Sequence, residues 1–256
     1  MCIRDRIIGT SGRYEFKNKG IDVFLESLNR LNRDKDLKKK VLAFVNVPSW
    51  VGDPREDLQK RLKSKDKFTE PLQCPFITHW LHNMTHDQVL DMLKYLGMGN
   101  RPEDKVKVIF VPCYQDGHDG ILNKHYYDLI LGEDLSVYPS YYEPWGYTPL
   151  ESVAFRVPTI TTDLAGFGLW VNSLKNQHGI NDGVEVLHRS DYNYSEVADG
   201  IKDTVALFST KTEAEIKEIR KRAGQVAEQA LWKHFIQYYY EAYDIALRNA
   251  MKRQLK

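Results

Sequence analysis

Apolar residues along the 256-residue chain fall into two rhythms, and the rhythms take turns. Short apolar runs of strand type stand at residues 41–45, 106–111, 135–138 and 158–162. Near the start, Ile7-Ile8-Gly9-Thr10-Ser11-Gly12 reads as a further strand running into a glycine turn. Between the first two, Ile21, Phe24, Leu25, Leu28 and Leu31 recur at helical spacing, and the basic run 38–40 closes that segment. Further helices are predicted at residues 86–95, 197–208, 212–230 and from Trp232 to about Met251. Residues 53–67 are charged and aperiodic, as expected of an excursion from a sheet. Short strands alternating with helices predict an α/β, Rossmann-like parallel sheet with helices on both faces. In such sheets ligands sit at the carboxyl ends of the strands.

Composition narrows this picture. With 42% hydrophobic and 28% charged residues, the chain buries one substantial core, and one domain is expected. Lys+Arg of 36 against Asp+Glu of 35 leaves no broad basic field for nucleic acid or an anionic membrane, so any phosphate binding must be local. Cys2, Cys74 and Cys113 form no CxxC pair and fit no disulfide framework, which favours a reducing compartment. No apolar run reaches about 18 residues and no signal peptide is visible, so a cytoplasmic protein is expected. The segment MCIRDR passes into the first strand with almost no lead-in, which makes residues 1–6 a candidate non-native start and the chain a candidate fragment.

The densest chemistry lies at residues 140–151, SYYEPWGYTPLE, just after the 135–138 strand. Thr148 is a good helix N-cap, Pro149 a good first helical residue, and Glu151 would complete a capping box with Thr148. A helix start past a strand end offers free N–H groups and a positive dipole end to a pyrophosphate, and Gly146 would allow close backbone approach. A bare capping box is common and marks no ligand alone. Tyr138, Tyr141, Tyr142, Trp145 and Tyr147 add flat faces with polar tips, which suit sugar rings. On the loop after the first strand, Arg13 and Lys19 stand six residues apart between Gly12 and Gly20, placed to clamp a diphosphate leaving group. Charge runs of this kind are otherwise ordinary solvated surface.

These strings resemble the glycogen synthases of the animal and fungal type, also found in some bacteria. Glu143 and Glu151, eight positions apart, match the Glu-x7-Glu signature of retaining glycosyltransferases with the two-lobed GT-B architecture, and the likeness continues through residues 161–168, TTDLAGFG. The resemblance implies that Glu143 faces the donor glucose near the reacting carbon and Glu151 binds the ribose hydroxyls. The backbone around Tyr147 and Thr148 would receive the pyrophosphate, with Trp145 and Gly146 in the same donor loop. It also implies that Arg13 and Lys19 hold the donor phosphates, and that Tyr126 stacks on uracil. Against that last role, Tyr126 or its neighbour Tyr127 would simply pack a helix on the sheet. No metal or other cofactor is implied. His79, His82, His86 and His118 suggest one, with His82 and His86 at i, i+4, but no HExxH is present and the segment from Cys74 to His79 matches family scaffold.

Two departures stand out. Arg156 replaces the usual Gly of the Ala-Phe-x-Val-Pro turn. The 212–230 helix carries Glu213, Glu215 and Glu218 among its basic residues, where eukaryotic members hold an arginine cluster for glucose 6-phosphate, so that regulation is not expected here. The likeness runs from Gly12 to Trp232-Lys233 and covers the family's C-terminal lobe, so residues 7–256 are expected to form the donor lobe with the N-terminal acceptor lobe absent. The implied activity is transfer of glucose from UDP-glucose to the non-reducing end of an α-1,4-glucan with retention. The glucan would be held by the missing lobe, and this chain alone would be inactive. An ADP-glucose-dependent synthase or other GT-B glucosyltransferase, and a non-catalytic nucleotide-sugar or glycan-binding module, remain open. Phe235, Tyr238, Tyr239, Ala242, Tyr243 and Ala246 form an apolar stripe on the last helix. In GT-B enzymes that helix crosses to the other lobe, so the isolated chain would expose the stripe and self-associate, a route to a homo-oligomer.

Overall fold

The computed structural model describes residues 5–254 apart from 67, 69, 176 and 178; Cys2 and the rest of 1–4, at the candidate non-native start, lie outside the described residues. The strands are β1 (Arg6–Ser11), β2 (Val41–Asn46), β3 (Val51–Pro54), β4 (His79–Leu81), β5 (Val106–Val111), β6 (Leu135–Val137), β7 (Thr159–Thr162) and β8 (Val184–Leu187). The helices are α1 (Ile21–Arg33), α2 (Glu56–Lys63), α3 (Gln88–Tyr95), α4 (Tyr126–Gly132), α5 (Tyr147–Ala154), α6 (Gly166–Ser173), α7 (Tyr194–Thr210), α8 (Glu213–Gln229) and α9 (Trp232–Gln254). Six strands make one parallel sheet in the order β5-β2-β1-β6-β7-β8, while β3 and β4 pair separately as an antiparallel ribbon. Counting only the main sheet, this is the third-second-first-fourth-fifth-sixth order of the Rossmann fold, the α/β class the alternating pattern predicts.

The predicted strands and helices lie where expected to within a few residues. Strand β8, the β3–β4 ribbon and the eight-residue α6 are additions, for all of them are too short to show a period. The aperiodic 53–67 stretch contains α2, an eight-residue helix with no buried residue, so no apolar stripe marks it. One large cluster packs α1, α3, α7 and the start of α8 on the sheet through residues such as Phe24, Leu28, Leu93, Ile201 and Ile219. A second joins α5, α6, β8 and α8 through Val153, Phe167, Val171, Val184 and Val226. Helix α8 begins on a true capping box, Thr212 with Glu215.

The basic residues of α8 brace the fold. Arg220 donates to the Glu133 carbonyl, and Arg222 pairs with Asp182 at 2.8 Å. Arg156 stands at φ 59°, the left-handed region that a glycine enters without strain, and its side chain lies on Gly224 of α8. The glycine usual at this turn is thereby accounted for, and so is the contact its replacement makes. In α9, Phe235 sits edge-on to Trp145 and Trp170 at 5.5 and 5.4 Å, but Tyr238, Tyr239, Tyr243 and Leu247 are exposed, so the stripe past Phe235 does not pack on its own domain. No helix among the described residues is long and apolar enough to cross a membrane.

A line of buried hydroxyls runs through the sheet. Tyr126 Oη meets Ser11 Oγ at 2.8 Å, Ser11 reaches Tyr138 Oη at 3.4 Å, and Tyr138 meets Ser152 Oγ at 2.8 Å. Ser152 donates to Ser136 at 3.3 Å, and Ser136 donates to the Glu133 carboxyl at 2.7 Å. That carboxyl occupies the space a side chain on Gly9 would fill. Burial pushes the Glu133 carboxyl up to about 8, against the lowering effect of the Ser136 bond.

Two outcomes follow. A raised carboxyl pKa favours the folded state below the unfolded value, and that contribution is lost as pH rises through the folded value. Glu133→Gln should therefore gain stability relative to the wild type between about pH 5 and about pH 8.5, by a few kcal/mol at most, in urea midpoints measured across that range; equal slopes would show that Glu133 does not titrate as described. Gly20 has φ 66°, and a Cβ there would lie 2.0 Å from the Pro139 carbonyl oxygen. Gly20→Ala should cost about 2–4 kcal/mol by the same assay.

Candidate functional site

The chain adds strands to one side of β1 first and to the other side afterwards, so the strand order reverses between the parallel neighbours β1 and β6. A crevice opens outside the strand ends at such a point. The loop after β1, residues 12–20, is wound by its own bonds: Lys19 N–H to Glu15 O at 2.8 Å, Gly20 N–H to Lys17 O at 3.0 Å, and Ile21 N–H to Phe16 O at 3.0 Å. Tyr14 Oη anchors it to the start of α3, donating to Asp87 at 2.8 Å. The Tyr141 N–H donates to Asn18 O at 2.7 Å and joins this loop to the one after β6.

That contact brings two predicted residues together. Lys19 Nζ pairs with Glu143 Oε2, their side chains 15% and 21% exposed, so the charge-assisted bond is only partly screened. Glu143 is fixed from behind: its N–H donates to Leu164 O at 3.3 Å, and Gly166 N–H donates to Glu143 O at 3.1 Å. Gly166 must be a glycine, because a Cβ would lie 2.3 Å from the Pro144 carbonyl oxygen. The TTDLAGFG segment thus serves as the backing of the EPW segment.

The predicted capping box of Thr148 and Glu151 does not form. Helix α5 starts at Tyr147, with Gly146 as N-cap at φ 104° and no side-chain cap bond. The left-handed glycine turns the chain into the helix early, which leaves Thr148 and Pro149 inside the first turn. Glu151 instead accepts from Tyr127 Oη at 3.3 Å. The first-turn N–H groups of Tyr147 and Thr148 therefore have no side-chain acceptor, the state in which a helix start receives an anion.

Beside this helix start lies a pocket of about 560 Å³ lined by Ser11, Gly12, Arg13, Asn46, Pro48, Cys113–Asp116, Tyr126, Thr148 and Glu151. Its size suits a small ligand or cofactor. Arg13 is 76% exposed at its edge and pairs with Glu15 at 3.0 Å; a Cβ on Gly12 would stand 4.0 Å from Lys19 Cε, so the two cations flank one glycine. Tyr126 lines the pocket and also joins the hydroxyl line through Ser11, and burial pushes its phenol far above the ordinary range. Tyr127 packs on Phe155 at 5.1 Å. The structure thus distinguishes the adjacent tyrosines. Trp145 lies elsewhere, among Phe167, Trp170 and Phe235, and Tyr147 is 71% exposed outside the lining.

Sequence reasoning missed Asn46, Pro48 and the loop from Cys113 to Asp116. They lie at or just past the carboxyl ends of β2 and β5, so the strand-end rule was the signal available for them. Two of them stand out chemically, because Asn46 Oδ1 and Gln115 Nε2 are buried without a hydrogen-bond partner. Both residues line the pocket, so an unsatisfied acceptor and an unsatisfied donor stand just behind its wall.

The histidines are arranged differently from the i, i+4 helix pair. His82 follows β4 and stacks on Trp50 at 4.8 Å, while His86 precedes α3, so they share no helix. His79, Cys113 and Asp119 do converge, with ligand atoms within 4.8 Å of one another. Both His79 ring nitrogens are engaged, with Thr78 Oγ1 at 2.9 Å and the Asp119 carbonyl at 2.7 Å. The Asp119 carboxylate accepts from the N–H groups of Ile121, Leu122 and Asn123, and burial pushes the Cys113 thiol up to about 12. The cluster is wired as a loop brace.

Comparison with known proteins places this geometry. A family model described as glycogen synthase matches residues 6–53 and 54–256. The glycogen [starch] synthase of Neurospora crassa is 28% identical over 94% of the chain and 42% of its own length. Isoform 1 of Saccharomyces cerevisiae is 29% identical over 96% of the chain and 43% of its length. The Caenorhabditis elegans protein of that name is 32% identical over 70% of the chain and 34% of its length. The chain thus spans less than half the length of these relatives. Among solved structures, a pneumococcal O-GlcNAc transferase in complex with UDP and GlcNAc shares the fold, with TM-score 0.51, 13% identity, and coverage of 95% of this chain and 37% of that one. With every described strand and helix inside the family match, the chain belongs to the glycogen synthase family.

Proposed function

We propose that residues 7–256 are the donor-binding lobe of a retaining glucosyltransferase that moves glucose from UDP-glucose to the non-reducing end of an α-1,4-glucan. The observation that carries this reading is the Lys19–Glu143 pair at the switch point of the sheet, beside a pocket with unpaired polar atoms on Asn46 and Gln115. The nucleotide would occupy that pocket, with its base against Tyr126 and its ribose hydroxyls on Glu151. The diphosphate would lie across the open start of α5, at the N–H groups of Tyr147 and Thr148. Family membership and the share of each relative covered support a partner lobe that brings the glucan acceptor, with Trp145 holding the donor loop from below and Gly146 turning it.

The chemistry assigned to each residue follows from charge. As the bond between the sugar anomeric carbon and the phosphate oxygen breaks, negative charge grows on the diphosphate and positive charge on the ring. Arg13 and Lys19 stabilise the first, and the Glu143 carboxylate stabilises the second. The acceptor hydroxyl forms the new bond on the same face, and its proton passes to the departing phosphate. Lys19 is then shared between Glu143 and the phosphate, so one cation ties the carboxylate to the leaving group. These cations and the helix start take the charge without a metal ion.

Titration of the chain with UDP and ADP tests the donor site. UDP should bind, and Arg13→Ala and Lys19→Ala should each weaken it by about tenfold, the worth of one charge-assisted bond. Tighter ADP binding would transfer the assignment to an ADP-glucose enzyme, and silence toward both nucleotides at millimolar concentration would end the donor reading. In the full-length gene product, Glu143→Gln should lower kcat by about 10²–10³-fold at nearly unchanged KM. Unaltered glucan synthesis would remove Glu143 from the mechanism and favour a binding module.

A further inference from the structure

On the other side of the loop after β1 lies a second cavity, of about 350 Å³, that the donor site does not use. Lys17, Asn18, Asp22, Tyr141, Arg189 and Tyr194 line it. It is bounded by the loops that carry Lys19 and Glu143, which the Tyr141 N–H to Asn18 O bond of 2.7 Å ties together.

Two of its charged side chains are buried and underused. Asp22 is 2% exposed; its Oδ2 accepts from Lys17 at 2.9 Å, while its Oδ1 has no hydrogen-bond partner. Arg189 is 5% exposed and its guanidinium donates through Nη1 to the Pro139 carbonyl, with no ion pair to Asp22. Burial lowers the pKa of Arg189 and the nearby Asp22 opposes that shift, so a cation is kept in a dry place at a cost in stability. Arg189 spends one donor on Pro139 and lines the cavity with the rest of its guanidinium, while Asp22 holds its unpaired oxygen behind the same wall; a ligand that accepts from Arg189 supplies the missing partner.

The walls indicate its class. Tyr141 and Tyr194 present rings, the first with the Arg189 guanidinium 5.2 Å from its centroid and the second with Lys17 Nζ at 5.9 Å. Lys17 and Arg189 are balanced by Asp22 and Asp191, so the lining carries no net charge to attract a phosphate. A carboxylate that accepts, a guanidinium that donates and flat aromatic faces suit a neutral polyhydroxylated ring.

We propose that this cavity is a hexose subsite on the donor lobe, holding a sugar unit of the α-glucan chain one loop away from the Lys19–Glu143 pair. The proposal rests on the reading of the chain as part of a glucan-synthesising enzyme. It assigns part of the acceptor grip to this lobe, not to the partner lobe alone.

The test is calorimetric titration of the 256-residue chain with maltotetraose, with glucose 6-phosphate as the anionic comparison and UDP as the control for the donor pocket. Maltotetraose should bind saturably, and Asp22→Asn and Tyr194→Ala should each weaken it by about fivefold or more while UDP affinity stays the same. Hydrogen exchange on the unmodified chain supplies a readout independent of folding defects in the variants: maltotetraose should protect residues 17–22 and 189–194. Absent protection, variants that bind the glucan as well as the parent, or preferential binding of glucose 6-phosphate would each overturn the subsite. Loss of UDP binding with maltotetraose protection intact would instead overturn the donor reading and leave the subsite standing.

Discussion

The candidate site of this chain depends on one close approach, that of the Gly20 backbone to the Pro139 carbonyl. A side chain at residue 20 would overlap that carbonyl, and the left-handed φ of 66° is one that only glycine adopts cheaply. Because β1 and β6 are neighbours in the sheet, the loops that leave them start side by side, and the missing Cβ lets them close. The Asn18–Tyr141 backbone bond and the Lys19–Glu143 pair both follow from that contact. Arg189 reinforces it by donating to the same Pro139 carbonyl. One constraint therefore sets the geometry of the lysine–carboxylate pair and of the cavity behind it.

The remaining parts of the site are held by polar groups the core can ill leave unpaired. The hydroxyl line from Tyr126 through Ser11, Tyr138, Ser152 and Ser136 to Glu133 passes from the pocket wall into the sheet. Each member satisfies the next, so the Tyr126 ring is fixed in orientation before any ligand arrives. The backing of Glu143 by residues 164–166 acts in the same way through main-chain bonds. A site whose groups are held in advance stabilises developing charge without rearranging. The N-terminus of α5 contributes the complementary feature, donors with no side-chain acceptor.

Family membership and physical reading support different parts of the account. The match over residues 6–256 and the Rossmann strand order establish the fold and the family, while the relatives' length beyond the matched part marks where an acceptor-bearing lobe belongs in the proposal. The aromatic face of α9 past Phe235 is exposed. The physical reading supplies what the resemblance lacks: the reason for glycine at residues 20 and 166, the strain accepted at Arg156, and the structural use of Arg220 and Arg222.

Much of the fold was legible in the sequence, because strands buried in a parallel sheet read as apolar runs and α1, α7 and α8 bury apolar faces. The elements it hid, β8, the β3–β4 ribbon, α2 and α6, are too short or too exposed to carry a period. For the site, residue type and order made Arg13, Lys19, Glu143 and Glu151 candidates, and the fold brings Lys19 to Glu143 and sets Arg13 and Glu151 in one pocket lining. The start of α5 was misplaced, since Thr-Pro-x-Glu favours a cap at Thr148 and only the chain's path makes Gly146 turn first. The pairing of Lys19 with Glu143, the packing of Trp145 in the core, and the placing of Asn46 and Gln115 at the pocket were decided by tertiary structure alone. Local sequence sets which groups a loop carries. Only the order of strands in the sheet sets which loops meet.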